Sequence, residues 1–238
     1  MPTKIRRNII EIVKEAPGID ADERRSDPVA PGGLGTDRVE GLRRGIALEY
    51  VSLAYNVLES VVGLAAGVVA GSVALIGFGL DSVVESSTAA ILIWRFRTET
   101  RGRRSSEDAE RKAVRLVAIA FYALAAYVGG RALLDLAAQS RPDDSPVGIA
   151  LAVASLIVMP VLVARKRKLA VEIDSRSLQA DSTQTLLCTY MSAFLLVGLA
   201  ANTLFDWWWA DPVAGLAIAT LAVREGLELW RDEDFCCP

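Results

Sequence analysis

Two carboxylates lie four residues apart in the middle of an apolar run, residues 71–94. The segment reads GSVALIGFGLDSVVESSTAAILIW and contains Asp81 and Glu85. Its length is close to the ~20 residues that a helix needs to cross a bilayer. The i, i+4 spacing places both carboxylates on one helix face. A charge at mid-membrane costs about 2.5–3.5 kcal/mol or more. Because the run contains no Lys or Arg, the pair needs a cation or protons, which predicts a functional role.

A second polar stripe lies in a later apolar segment, SLQADSTQTLLCTYMSAFLLVGLAAN. Its members follow the three-and-four spacing of one helix face: Asp181, Gln184, Thr185, Cys188 and Ser192. At ~1.5 Å per residue from the nearest basic connection, Gln184 and Cys188 reach the depth of the carboxylate pair. Two carboxylates, an amide oxygen and a thiolate suit a tetrahedral divalent ion. The two stripes together therefore predict an intramembrane metal site.

The first apolar segment contributes further polar groups. On a helix, Glu49, Asn56 and Glu59 fall within a sector of about 80°. Asn56 and Glu59 reach the same mid-membrane depth as the predicted site. Glu59 is then a third intramembrane carboxylate, available as a ligand, as a partner of a ligand or as a proton carrier.

The elements that must position these groups are six long apolar segments. They cover residues 45–70, 72–94, 113–138, 146–164, 177–203 and 208–230. The chain is 52% hydrophobic, as expected for a multispanning membrane protein with polar ends. Backbone in lipid must satisfy its own hydrogen bonds, and segments of this length exclude barrel strands. The sequence thus predicts an all-α polytopic protein with six transmembrane helices.

The distribution of Lys and Arg predicts orientation and domain organisation. Basic residues concentrate between segments two and three and, as Arg165–Lys168, between segments four and five. The alternation places both termini in the cytosol of a multi-pass cell-membrane protein. We expect a largely disordered N-terminal arm (1–44), a transmembrane domain (45–230) and a short tail (231–238) without room for a further domain.

Composition excludes several other classes of function. A net charge of −3 argues against a nucleic-acid partner. The chain has no His, and its three Cys do not form a disulfide framework. An intramembrane hydrolase is disfavoured because no HExxH, GxSxG or paired catalytic motif is present, so no enzyme activity is expected. The first long apolar run lies far from the N-terminus, which does not fit a signal peptide.

Three stretches resemble the cation diffusion facilitator family of metal/proton antiporters over residues 45–230. They are GSVALIGFGLDSVVES, SLQADSTQT and WWWADPVAGLAIATLAVREGLELW. The resemblance implies the cation-efflux transmembrane fold, a homodimer in the lipid bilayer, and zinc export coupled to inward proton flow. The family's transport site falls here on Asp81, Glu85, Gln184 and Cys188. No resident cofactor is implied, since the metal is cargo.

The chain departs from the family pattern at the second half of that site. Zinc-transporting members usually have His at the position of Gln184 and Asp at the position of Cys188. Asp181, one turn earlier on the helix, is a candidate substitute ligand. The usual His-rich loop and cytosolic C-terminal domain are missing, which suggests a divergent branch. A Cys188 thiolate favours Zn²⁺ or Cd²⁺, whereas oxygen ligands alone favour Mn²⁺ or Fe²⁺. Zinc ranks first, and the alternatives are a manganese or iron(II) exporter and a non-transporting membrane partner subunit.

Overall fold

The computed structural model describes residues 36–101 and 107–234, with side chains described for 38–101, 115–175 and 177–230. These ranges form helices without any β-strand: α1 (Thr36–Ala70), α2 (Val73–Thr100), α3 (Glu107–Ala138), α4 (Pro146–Glu172), α5 (Arg176–Phe205) and α6 (Ala210–Asp234). The predicted all-α fold of six helices is confirmed. Residues 1–35 of the predicted arm and residues 235–238 of the predicted tail lie outside the described part.

The helices have the length and surface of a membrane protein. Five of them, α1 to α5, are long and apolar enough to cross a bilayer. Large apolar side chains such as Val69, Leu116 and Ile157 are exposed, as expected for residues that contact lipid. Helix α6 is not among these five helices, and it carries the charged residues Asp211, Arg224 and Glu225. Two of these, Asp211 and Glu225, are buried in the bundle, so their carboxylates do not face the lipid.

Helix α2 lies at the centre of the bundle. It packs against α1, α3, α5 and α6, while α4 pairs with α5 and α1, and α3 pairs with α6. Close packing of α1 on α2 depends on small residues, since a Cβ on Gly79 would lie 2.8 Å from the backbone nitrogen of Leu64. The α1–α2 turn needs only Gly71, with a positive φ of 65°, and Ser72, which caps α2.

Several helices extend beyond their predicted apolar segments, among them α1 and α4. Helix α1 begins at Thr36, within the range expected to be an arm, and α4 continues to Glu172. The segment Arg165–Lys168 is therefore helical, and its expected place in a loop is wrong. Beyond the apolar runs, the helix ends pack through a small cluster that includes Leu42, Phe96 and Leu169. This packing explains why the helices extend further than their continuous apolar segments.

Candidate functional site

Helix α2 directs a polar face into the interior of the bundle. Asp81, Ser82 and Glu85 are all buried, and Glu85 is 2% exposed. Both carboxylate oxygens of Glu85 lack a hydrogen-bond partner in the described part of the chain. Two carboxylates on one buried face repel each other unless a proton or a cation is shared between them. The face is thus suited to binding a cation.

Helix α5 brings Cys188 to this face. Its thiol is buried and interacts electrostatically with Glu85, Glu59 and Asp81. We call these four residues, Asp81, Glu85, Glu59 and Cys188, the carboxylate–thiol cluster. Cys188 thus lies within electrostatic range of the α2 pair, and its role as a metal ligand stays a prediction. Three carboxylates and a thiol are donors that a borderline divalent cation accepts.

Glu59 of α1 is held by Ser82 of α2, whose Oγ donates a hydrogen bond of 2.9 Å to Glu59 Oε2. The carboxylate also lies beside Ser155 of α4, which accepts a hydrogen bond of 2.8 Å from Ser192 of α5. Four helices are thus linked by polar groups around Glu59. Such a network fixes the relative positions of the helices as well as that of the carboxylate.

The remaining predicted residues are buried but lie differently. Asn56 and Gln184 are both buried, and Asn56 Oδ1 and Gln184 Nε2 lack hydrogen-bond partners in the described structure. Asp181 is close enough to Glu85 to interact with it, but it also accepts a hydrogen bond from Lys166. The roles of Asn56, Gln184 and Asp181 at a metal site stay predictions.

Sequence reasoning missed Lys166, which is 1% exposed and lies beside this cluster. Its ammonium nitrogen lies 2.5 Å from Asp181 Oδ2 and 3.3 Å from Glu49 Oε2. The spacing of buried residues along α4 is the signal that could have identified Lys166. The buried residues Leu162, Val163, Lys166, Leu169 and Ala170 follow a helical three-and-four pattern, so Lys166 stands on the apolar stripe. Glu225 of α6 was also missed, and it is buried within electrostatic range of Asp81.

The cluster does not form a closed coordination shell. Among the residues that the structure describes, no group of three or more Cys, Asp or Glu side chains is arranged to hold a metal ion, and the chain has no His. Ion binding would therefore require side chains such as Glu85 and Cys188 to draw together. Both oxygens of Glu85 are buried and lack a hydrogen-bond partner among the described residues, so no competing hydrogen bond opposes that movement of Glu85.

Comparison with known proteins agrees with the helical membrane fold. Residues 50–233 match the family model for the cation efflux transmembrane domain. Transmembrane protein 163 of Xenopus laevis is 22% identical over 191 residues, which cover 80% of this chain and 67% of the relative. The uncharacterized transporter sll1263 of Synechocystis sp. is 24% identical over 194 residues, covering 79% of this chain and 63% of the relative.

The chain thus spans about two thirds of the length of these relatives. The family match covers well over half of the chain and includes every residue of the carboxylate–thiol cluster. The chain is therefore a membrane-embedded cation transporter of the cation diffusion facilitator, or cation efflux, family.

Proposed function

We propose that the protein exports a divalent transition-metal cation, zinc first, in exchange for protons. The observation that carries this proposal is the carboxylate–thiol cluster, in which three buried acidic side chains lie within electrostatic range of Cys188. Buried carboxylates without a counter-ion are costly, so the cluster holds either protons or a metal. Metal binds the deprotonated groups and releases their protons, which makes exchange of the two a natural cycle.

Alternating access is the transport mode that the burial of the cluster supports. Asp81 is 4% and Cys188 1% exposed, so an ion in water cannot reach them without movement of the helices. We expect the ion to enter from the cytosolic side, where the basic segments and both termini lie, and to leave on the opposite side. The unit that moves is expected to be one chain of a homodimer in the cell membrane.

The identity of the ion depends on which donors close around it. With the Cys188 sulfur as a ligand the site favours Zn²⁺ or Cd²⁺. With Gln184 and Asp181 oxygens in its place, the site favours Mn²⁺ or Fe²⁺. The Lys166 hydrogen bond occupies one oxygen of Asp181, which supports the sulfur-containing set and hence zinc.

Metal flux into proteoliposomes loaded with a metal-sensitive dye tests the proposal. Wild-type protein is compared with Asp81→Asn and Glu85→Gln for Zn²⁺, Cd²⁺, Mn²⁺ and Fe²⁺, with and without a pH gradient. We expect gradient-dependent flux of Zn²⁺ that both variants lose. Asp135→Asn is the matched control, since Asp135 is a buried carboxylate of α3 that pairs with Arg131 away from the cluster.

The outcomes separate the alternatives. Flux of Mn²⁺ or Fe²⁺ without Zn²⁺ would favour the all-oxygen donor set. Flux that ignores the pH gradient would refute proton exchange while leaving transport intact. Well-folded protein with no flux of any ion would refute the proposal and favour a non-transporting partner subunit.

A further inference from the structure

Lys166 occupies a position where oxygen atoms from two other helices converge. Its Nζ donates to Asp181 Oδ2 at 2.5 Å, to Glu49 Oε2 at 3.3 Å and to Thr185 Oγ1 at 3.3 Å. An ammonium group has three N–H donors, so each one has an oxygen partner. We call Glu49, Asp181 and Thr185 the lysine cradle.

The lysine cradle has the chemistry of a cation site. Two carboxylates and a hydroxyl are hard oxygen donors of the kind that divalent cations such as Mn²⁺ accept. Glu49 Oε1 and Asp181 Oδ1 have no hydrogen-bond partner within the described ranges. Both residues are more than nine-tenths buried, so water does not compensate these oxygens. The ammonium group thus occupies the point at which these oxygen donors converge.

The cradle adjoins the carboxylate–thiol cluster. Lys166 and Asp181 both interact electrostatically with Glu85. An ion in the cradle would therefore lie beside an ion in the cluster. An ammonium group in the same place carries one charge, cannot leave its chain and cannot be transported.

We propose that Lys166 is a tethered cation that fills a second cation site and so restricts the polar core to one transported ion. It is a specificity-determining residue, because it fixes how many ions the core admits. The proposal deepens the proposed function and rests on it, since the restricted ion is the transported one. Lys166 supplies a positive charge to the buried carboxylates Glu49 and Asp181 in place of a metal.

Equilibrium dialysis against Mn²⁺ alone, in detergent, tests the proposal by the number of ions bound per chain. Lys166→Ala removes the charge and leaves room for an ion, so it should bind one more Mn²⁺ than wild type. Lys166→Arg keeps the cation and should bind the wild-type number. Lys166→Ala combined with Glu49→Gln and Asp181→Asn removes the carboxylates and should lose the additional ion.

An unchanged number of bound ions in Lys166→Ala would overturn the proposal. This variant leaves two buried charges without a partner, so its folding is followed by size-exclusion chromatography with Mn²⁺ and with EDTA. A monodisperse peak only with Mn²⁺ would support the proposal, and aggregation under both conditions would overturn it. If wild type binds no Mn²⁺ and Lys166→Ala binds one, the lysine cradle is supported as a cation site and the transport site does not bind Mn²⁺. If wild type and Lys166→Ala each bind one Mn²⁺, the transport site binds Mn²⁺ and the proposal of a second cation site is overturned.

Discussion

Asp211 joins the start of α6 to the start of α2, and its loss should destabilise the bundle. Ser72 Oγ donates to Asp211 Oδ1 at 2.5 Å, and the backbone nitrogen of Val73 donates to Oδ2 at 3.0 Å. Ser72 Oγ also accepts from the backbone nitrogen of Leu75 as the N-cap of α2. Because Asp211 is 1% exposed, Asp211→Ala leaves buried donors that water does not reach.

The size of the effect follows from these contacts. A hydrogen bond to a charged group contributes about 1.5–3 kcal/mol. A carboxylate at a helix N-terminus adds about 0.3–1 kcal/mol. The contributions are not independent, since one carboxylate makes both hydrogen bonds. We therefore expect Asp211→Ala to lower the free energy of unfolding by roughly 2–5 kcal/mol.

Unfolding by SDS in mixed micelles, followed by tryptophan fluorescence, measures this free energy. Asp206→Asn is the control at the same end of the bundle, because Asp206 is 84% exposed and pairs with Arg141 at 3.5 Å. That substitution should change the free energy by less than about 1 kcal/mol. Asn also tolerates the left-handed backbone of Asp206, whose φ is 55°. Equal effects of the two substitutions would refute the assigned role of Asp211.

Three further predictions concern packing and the cluster. In the same SDS titration, Gly79→Ala should lower the free energy of unfolding by about 1–3 kcal/mol, because its Cβ would lie 2.8 Å from Leu64 N. Gly130→Ala is the control and should not lower it, since its Cβ would lie in open space. In a Cys236→Ser/Cys237→Ser background, a water-soluble thiol reagent should label buried Cys188 slowly. Added Zn²⁺ should slow labelling further, and labelling insensitive to Zn²⁺ would contradict Cys188 as a ligand. Cys188→Asp should raise the ratio of Mn²⁺ to Zn²⁺ flux, since it exchanges a soft donor for a hard one, and an unchanged ratio would contradict the same role.

The part of the site that could be predicted from the sequence depends on local periodicity. Asp81 and Glu85 share a buried face because i, i+4 spacing determines it on any helix. Cys188 lies near them because two antiparallel spans of known length bring equal depths together. Both inferences need only helix geometry and the positions of the membrane boundaries.

Lys166 could not be predicted by the same reasoning. Four consecutive basic residues, Arg165–Lys168, have the composition of a cytosolic connection. The rule that uses basic residues to find loops cannot distinguish a loop from a helix end. The packing of Leu169 against Leu42 and Phe96 extends α4 beyond the apolar run. That extension turns Lys166 inward, where Asp181 and Glu49 are its partners. The spacing of buried residues along α4 marks Lys166 as inward-facing, but its partners Asp181 and Glu49 lie on two other helices and cannot be read from α4 alone.

The charge balance of the polar core connects the fold to cation transport. Among the described side chains, Lys166 is the one buried Lys or Arg, while α1, α2 and α5 together bury five carboxylates: Glu49, Glu59, Asp81, Glu85 and Asp181. One ammonium group cannot neutralise five carboxylates, and charges left unpaired in the interior are strongly unfavourable. The remaining carboxylates must therefore bind protons or a metal cation at every stage. This imbalance supports the proposed exchange of metal for protons over simple release, because loss of one kind of cation leaves a charge deficit that the other kind can fill.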